Sequence, residues 1–314
     1  DLDAARAAIL EHAPHVAAFA ISGYFGTRNP SHELAVKRLV AELTGLPVTC
    51  GHELTHKLDA LRRATTVALN ARLIPLLCHL IEAVERTLAD KGIVAPLMVV
   101  KGDGSLMEAS VAKERPIETI LSGPAASVVG AQHLAGGEDV VVVDMGGTTT
   151  DIAVIRNGRP SLSPKGAEVG RWRTMVEAID VHTVGLGGDS RVWFDEGRDL
   201  RIGPRRVAPI SLLAVEFPQI VDVLRRQPLS GKADLAWEFL MLQNGKDAHD
   251  GEHPSFEPEL MEALSAGPCP LDQVYRIVQH PELYWRYLDR LERQGVLMRA
   301  GFTPSDAAHV LGYY

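Results

Sequence analysis

Residues 144–151 read DMGGTTTD and lie between two apolar runs of strand length, residues 139–144 and 152–155. Two adjacent glycines let the backbone turn tightly and come close to a ligand. Consecutive backbone amides in such a turn form a concavity that binds anions, and the three threonine hydroxyls add further donors. The order of strand, turn and strand therefore predicts a hairpin that binds phosphate, with a structural hairpin that has a polar tip as the alternative.

The polar residues of this hairpin divide into two predicted roles. Mg²⁺ is usually held by one or two carboxylates together with phosphate oxygens. Asp144 and Asp151 are therefore the candidate metal ligands, and they are also the candidate catalytic residues that orient a water molecule. The candidate phosphate-binding residues, which would donate through amides and hydroxyls, are Gly146, Gly147, Thr148 and Thr149.

A second glycine-rich segment, residues 185–190 (GLGGDS), follows the apolar run at 181–184. Alone it is equally consistent with a tight turn and with a nucleotide contact. Paired with the first segment it predicts the second wall of a cleft, with Gly187, Gly188 and Ser190 as the contacts. The chain contains neither the GxxxxGK[ST] pattern nor the GxGxxG spacing, which excludes a P-loop NTPase and a Rossmann dinucleotide site.

The flanking sequence contains further predicted helices and strands. Ser31 is the predicted N-cap of a helix that ends near Leu43, and residues 54–90 have a long helical period that contains Pro75. Asn157-Gly158 predicts a tight hairpin turn. Residues 216–300 are predicted to form a helical insertion in which Gly295-Val296-Leu297 resembles part of a winged helix.

Composition limits the function classes. The chain has 32 basic and 40 acidic residues and a net charge of −8, which argues against a nucleic acid held by bulk charge. No uninterrupted apolar run approaches the roughly 18 residues of a membrane span, so the sequence predicts no membrane-spanning segment and no membrane partner. The scattered cysteines Cys50, Cys78 and Cys269 form no C-x-x-C pair. They predict a reducing, cytoplasmic location.

Residues 52–56 read HELTH and match the H-E-x-x-H signature of zinc metallopeptidases, in which two histidines one helical turn apart bind zinc. Gly51 directly precedes the motif, so a helix would only be starting where a zinc site needs mid-helix rigidity. A zinc metallopeptidase that uses His52, Glu53 and His56 is therefore the minor alternative.

Residues 142–153 (VVDMGGTTTDIA) closely resemble the second phosphate loop of the hydantoinase A/oxoprolinase family, which belongs to the actin-like ATPases. The resemblance continues, in the same order along the chain, at residues 25–33, 65–71, 119–126, 180–188 and 303–307. The family also has a first phosphate loop near its N-terminus, and this sequence shows none, so we expect a fragment or a short form. Where the family usually reads Gly-Gly-Gly-Ser, this chain has Asp189, a carboxylate expected to repel phosphate or to bind a metal or ribose hydroxyls.

The resemblance implies an α/β fold of actin-like (ribonuclease H-like) lobes. Residues 1–94 would complete the first lobe with its connecting helix. Residues 95–215 would form the second lobe, 216–300 the helical insertion, and 301–314 the return to the second lobe.

It also implies an ATP- and Mg²⁺-dependent hydrolase that phosphorylates a cyclic amide or a related carbonyl substrate. The chain would then be one subunit of a hetero-oligomeric enzyme or would form a homo-oligomer. The alternative is a non-catalytic nucleotide-binding subunit that acts through a partner.

Overall fold

The computed structural model of the chain describes residues 1–137, 139–195, 199–226, 237–243, 257–278 and 281–313, and for residues 281–285 it describes the backbone alone. By its internal contacts the chain divides into two units, residues 1–144 with 151–182 and residues 145–150 with 183–314. The tip of the glycine hairpin thus belongs to the second unit and its strands mainly to the first. The division into four segments stays a prediction.

The first unit alternates helices with short strands. Its helices are α1 (Leu2–His12), α2 (Ser31–Thr44), α3 (Gly51–Leu54), α4 (Ala60–Asp90), α5 (Ala109–Glu114) and α6 (Ser122–Ala135). The strands are β1 (Phe19–Ile21), β2 (Val48–Cys50), β3 (Met98–Val100), β4 (Leu106–Glu108), β5 (Val140–Met145), β6 (Thr150–Arg156), β7 (Arg159–Pro160), β8 (Glu168–Val169), β9 (Trp172–Arg173) and β10 (Val181–Val184). β1 and β2 pair in parallel, and the order β10-β6-β5 forms a sheet in which β7 also pairs with β6.

The ends of α2 follow the predicted signals with a shift of one residue. The helix begins at Ser31 rather than being capped by it, and Asn29 accepts the Ser31 amide at 3.1 Å. Gly45 ends the helix with a φ of 65°, a left-handed conformation that glycine adopts without a steric cost. The buried side chains Leu39 and Val40 pack against α1 and the β1–β2 pair.

By length and composition alone, helix α4 is long enough and apolar enough to cross a membrane, since an 18-residue stretch of it has a mean hydropathy of 1.6. Polar residues interrupt its apolar runs, so the sequence expectation, which rested on uninterrupted runs, did not take this helix into account. The helix also carries polar residues that are buried within the first unit. Thr66 accepts the Met175 amide at 3.0 Å, and Asn70 donates to Thr49 and Glu114 and accepts from Ile117. Such polar contacts are typical of a core helix.

The turn between β6 and β7 has the predicted geometry. Asn157 and Gly158 both have positive φ, 49° and 65°, as a two-residue hairpin turn of the favoured hand requires. Asp139 accepts the Asn157 amide at 2.8 Å, which ties the turn to the start of β5. The prediction of an Asn-Gly hairpin is confirmed.

In the second unit, the described part of residues 216–300 contains strands as well as helices, which differs from the predicted helical segment. That this segment is an insertion stays a prediction. The strands of the second unit are β11 (Ser190–Phe194), β12 (Leu200–Arg206), β13 (Ala208–Pro209), β14 (Phe239–Leu242), β15 (Cys269–Pro270) and β16 (Leu297–Gly301). The helices are α7 (Ile210–Glu216), α8 (Ile220–Arg226), α9 (Glu257–Ser265), α10 (Leu271–Val278), α11 (Pro281–Arg293) and α12 (Pro304–Val310). The sheet β13-β16-β14-β15 supports a core that includes Leu240, Leu260 and Leu288. Apolar strands buried this way lack polar alternation, so period alone does not separate them from helix.

The core of this unit contains a buried ion cluster. Arg299 is 1% exposed and bonds Glu238 and Glu292, each at 2.9 Å, and Arg191 also pairs with Glu238. Burial alone would lower the pKa of Arg299, but the two carboxylates outweigh it and raise that pKa. Arg299 therefore stays charged and links β16 to α11 and to the residue that precedes β14.

A second buried carboxylate lies at the start of α12. Asp306 accepts the amides of Ile210 and Ser211, at 3.2 and 2.8 Å, and the amide and hydroxyl of Thr303, each at 2.8 Å. The side chain of Thr303 in turn accepts the Asp306 amide. One side chain thus caps α12 and joins it to the start of α7.

Candidate functional site

The tip of the glycine hairpin presents unused backbone donors. The Gly146 amide turns inward and donates to the Thr149 carbonyl at 2.9 Å. The next amides, those of Gly147, Thr148 and Thr149, donate to no residue that the structure describes. Thr148 is exposed, and Gly147 and Thr149 are half-buried. Three successive free amides on an accessible turn form the kind of concavity that binds an oxyanion.

The second glycine segment lies directly against this tip. The Gly188 amide donates to the Gly146 carbonyl at 2.9 Å, and the Asp189 amide donates to the Gly147 carbonyl at 2.8 Å. Thr150 adds a bond from its hydroxyl to the Leu186 carbonyl at 2.6 Å. The structure thus brings the two predicted segments together within the second unit.

Gly187 is required by the close approach of these segments. A Cβ added there would lie 2.5 Å from the Gly147 carbonyl oxygen and 2.6 Å from that of Gly146. The Gly187 amide donates to the Ser190 hydroxyl at 2.8 Å, and Ser190 is 2% exposed. The polar groups of this segment therefore support the hairpin tip, while the free donors belong to the tip itself. The role of Gly187, Gly188 and Ser190 as nucleotide contacts stays a prediction.

Asp189 has a counterion. Its Oδ2 atom accepts from Arg206 Nε at 3.1 Å and from Arg206 Nη2 at 2.9 Å. Sequence reasoning missed Arg206, because no motif spacing links a residue at the end of β12 to a turn before β11. The expected repulsion by Asp189 is thus offset by a positive charge on the neighbouring strand.

Asp144 and Asp151 lie in the strands that carry the tip. Asp144 is the fifth residue of β5 and Asp151 the second residue of β6, and both are half-buried. β5 and β6 are neighbours in their sheet. Each carboxylate is therefore attached to regular structure close to the start or the end of the turn, which is where the sequence placed it.

The zinc-peptidase alternative fails on helix length. Helix α3 ends at Leu54, and Thr55 is extended with a φ of −161°, so His52 and His56 do not share a helical face. Glu53 accepts the Cys50 amide and pairs with Lys37, which makes it part of a helix cap rather than a free general base. The H-E-x-x-H match is thus a coincidence of spacing.

His52 belongs instead to a buried cluster with Glu33 and Cys50, whose potential ligand atoms lie within 4.8 Å of one another. Hydrogen bonds already occupy this cluster. Glu33 accepts the Gly23 amide at 2.6 Å, the His52 amide at 3.0 Å and His52 Nδ1 at 2.5 Å. Burial raises the pKa of the Cys50 thiol to about 12, which disfavours the thiolate that a metal needs. The geometry fits a structural cluster that holds the loop at Gly23.

The hairpin lies in a segment that is similar to known proteins. Residues 63–217 match the model of the family described as hydantoinase/oxoprolinase. The chain is 35% identical over 194 residues to caprolactamase subunit alpha of Pseudomonas jessenii, covering 60% of this chain and 28% of that one. It is 27% identical over 233 residues to the acetophenone carboxylase gamma subunit of Aromatoleum aromaticum, covering 71% of this chain and 31% of that one.

A solved structure supports the mixed α/β fold. The crystal structure of the ATP-dependent caprolactamase from Pseudomonas jessenii superposes with a TM-score of 0.57 at 34% identity, over 66% of this chain and 30% of that one. The chain thus spans less than a third of the length of these relatives. The matched segment contains both glycine-rich turns. Residues 63–217, about half of the chain, thus resemble the hydantoinase/oxoprolinase family.

Proposed function

We propose that the chain is the ATP-binding part of a hydantoinase/oxoprolinase-type enzyme, with the phosphates held at the hairpin tip. The observation that carries this is the row of free amides at Gly147, Thr148 and Thr149. Backbone amides fixed in advance bind phosphate oxygens without reorganisation. Contacts with the second glycine segment hold the tip in this shape. The similar caprolactamase structure is described as ATP-dependent, which supports ATP as the ligand.

The proposal includes Mg²⁺ at Asp144 and Asp151. Mg²⁺ is usually bound by one or two carboxylates together with phosphate oxygens. Attachment of each carboxylate to a strand gives it a fixed direction that a loop residue would lack. Asp151 would also orient the water molecule that takes part in the hydrolysis. The actin-like arrangement of the lobes is part of this proposal.

The chemistry proposed is activation of an amide or carbonyl. Bound ATP supplies the phosphoryl group that makes a carbonyl oxygen a leaving group. The tip amides would hold the phosphates, and the two carboxylates would hold the Mg²⁺ that offsets the phosphate charge, so the protein contributes positioning and charge neutralisation. A cyclic amide is the proposed substrate class, because the family includes hydantoinases and oxoprolinases.

Two of the similar proteins are named as subunits, alpha for the caprolactamase and gamma for the acetophenone carboxylase. We therefore propose that the chain acts with a second subunit. Binding of nucleotide would then be a property of this chain, and hydrolysis of the substrate a property of the assembly.

The test is calorimetric titration of the full chain with a non-hydrolysable ATP analogue and Mg²⁺. Asp144→Ala should weaken binding at least tenfold in the presence of Mg²⁺. Asp139→Ala is the matched control, because Asp139 lies at the opposite end of β5 and only caps the Asn157 turn. Equal affinities for the two variants would remove Asp144 from the site, and no binding by the wild-type chain would overturn the ATP assignment.

A further inference from the structure

Two charged side chains lie directly beside the tip of the glycine hairpin. A Cβ added at Gly147 would be 2.5 Å from Asp189 Oδ2 and 3.7 Å from Arg206 Nη2. These residues lie on different segments, and no family motif predicts the pair. The local charge at the tip is therefore set by Asp189 and Arg206 together.

Asp189 is held rigidly. Its amide donates to the Gly147 carbonyl at 2.8 Å, and its carbonyl accepts the Val207 amide at 2.9 Å. Both backbone groups are thus fixed, one to the tip and one to the residue after Arg206. The carboxylate has little freedom to move away from the tip.

Arg206 is held loosely. Its Nε and Nη2 atoms both bond the same oxygen of Asp189, and its side chain is 63% exposed. Its Nη1 atom, like Oδ1 of Asp189, has no partner among the described residues. An ion pair this exposed contributes little to stability. The guanidinium can therefore leave a single carboxylate for a ligand of higher charge at small cost.

We propose that Arg206 is a phosphate-binding residue of this site and that Asp189 is its positioning residue, which holds the guanidinium beside Gly147 until a nucleoside triphosphate binds. This assignment rests on the proposed function. A polyphosphate carries several negative charges, and a guanidinium binds phosphate oxygens as a two-donor fork. Without Arg206, the fixed carboxylate of Asp189 would face the same phosphates and oppose binding.

The experiment compares the dissociation constants of adenosine, ADP and a non-hydrolysable ATP analogue for the full chain and its variants. Arg206→Ala should weaken the triphosphate about tenfold, a loss of about 1.4 kcal/mol, and leave adenosine within twofold. Arg206→Lys should recover part of the loss, because the charge remains while the fork does not. Arg201→Ala is the matched control, since Arg201 lies on the same strand and pairs with Asp195.

The second arm removes the carboxylate. Asp189→Asn in the Arg206→Ala background should strengthen triphosphate binding relative to Arg206→Ala alone, because the uncompensated charge is gone. Circular dichroism checks that each variant is folded. If the wild type binds the triphosphate while Arg206→Ala behaves like Arg201→Ala, only the assignment of Arg206 is overturned. If the wild type binds no nucleotide, the proposed function fails and this assignment fails with it.

Discussion

Substitution of Gly187 by alanine should destabilise the second unit and distort the tip of the glycine hairpin. The added Cβ would lie 2.5 and 2.6 Å from the carbonyl oxygens of Gly147 and Gly146, so backbone must move. Overpacking of this kind costs about 1–3 kcal/mol. Movement of the tip also weakens the two backbone bonds from Gly188 and Asp189, each worth about 1 kcal/mol. We expect a loss of about 3 kcal/mol in the free energy of unfolding.

The assay is urea unfolding followed by tryptophan fluorescence, with Trp193 and Trp237 in the second unit as reporters. With a slope of about 2 kcal/mol per molar, the midpoint should fall by about 1.5 M. Gly146→Ala is the control, because a Cβ there meets nothing closer than 3.7 Å. Midpoints for the two variants that agree to within about 0.25 M would refute the steric argument. On the proposed function, Gly187→Ala should also weaken binding of an ATP analogue more than tenfold, because the backbone that carries the free amides would be displaced.

Two further predictions concern the first unit. Asn70→Ala should lower the free energy of unfolding by about 2–3 kcal/mol in thermal unfolding, because it leaves the Ile117 amide and other buried groups unpaired. Thr65→Ala on the same helix is the control and should lower it by less than about 0.5 kcal/mol. Burial alone would raise the pKa of Glu33, but bonds from His52 and Gly23 outweigh it and hold that pKa below its usual value near 4.5. The stabilisation by this carboxylate is therefore present above that value and lost as the pH falls through the folded-state pKa. In Glu33→Gln, the free energy of unfolding should therefore fall less steeply with decreasing pH, in the acid range, than it does in the wild type.

The hairpin was predictable because its signals are local. Gly146-Gly147 with flanking apolar runs specifies a turn between strands, and Asn157-Gly158 specifies a turn with positive φ at both residues. Gly45 likewise marks the end of α2. In each case the conformation follows from the residue that occupies the position, so no distant contact was needed.

The role of Gly187 was not predictable in the same way. Its spacing predicts a tight turn, but the reason for glycine is contact with carbonyls 40 residues earlier in the chain. The pair of Asp189 and Arg206 depends on strand register, which includes a bulge between Ser190 and Val192. The H-E-x-x-H match misled because spacing alone does not show that the helix ends at Leu54.

Asp306 gives the block between α7 and α12 a single point of entry and exit. Because one carboxylate binds the amides of Ile210 and Ser211 as well as Thr303, the chain returns to where it left, and β13 and β16 pair in parallel beside that point. Apart from the ion pair of Arg191 with Glu238, which ties the block to β11, residues can therefore be gained, lost or exchanged within the block while its two ends stay together. We therefore expect related chains to tolerate differences in this block without change at the tip of the glycine hairpin, and transplanting the block from a relative would test how independent the two are.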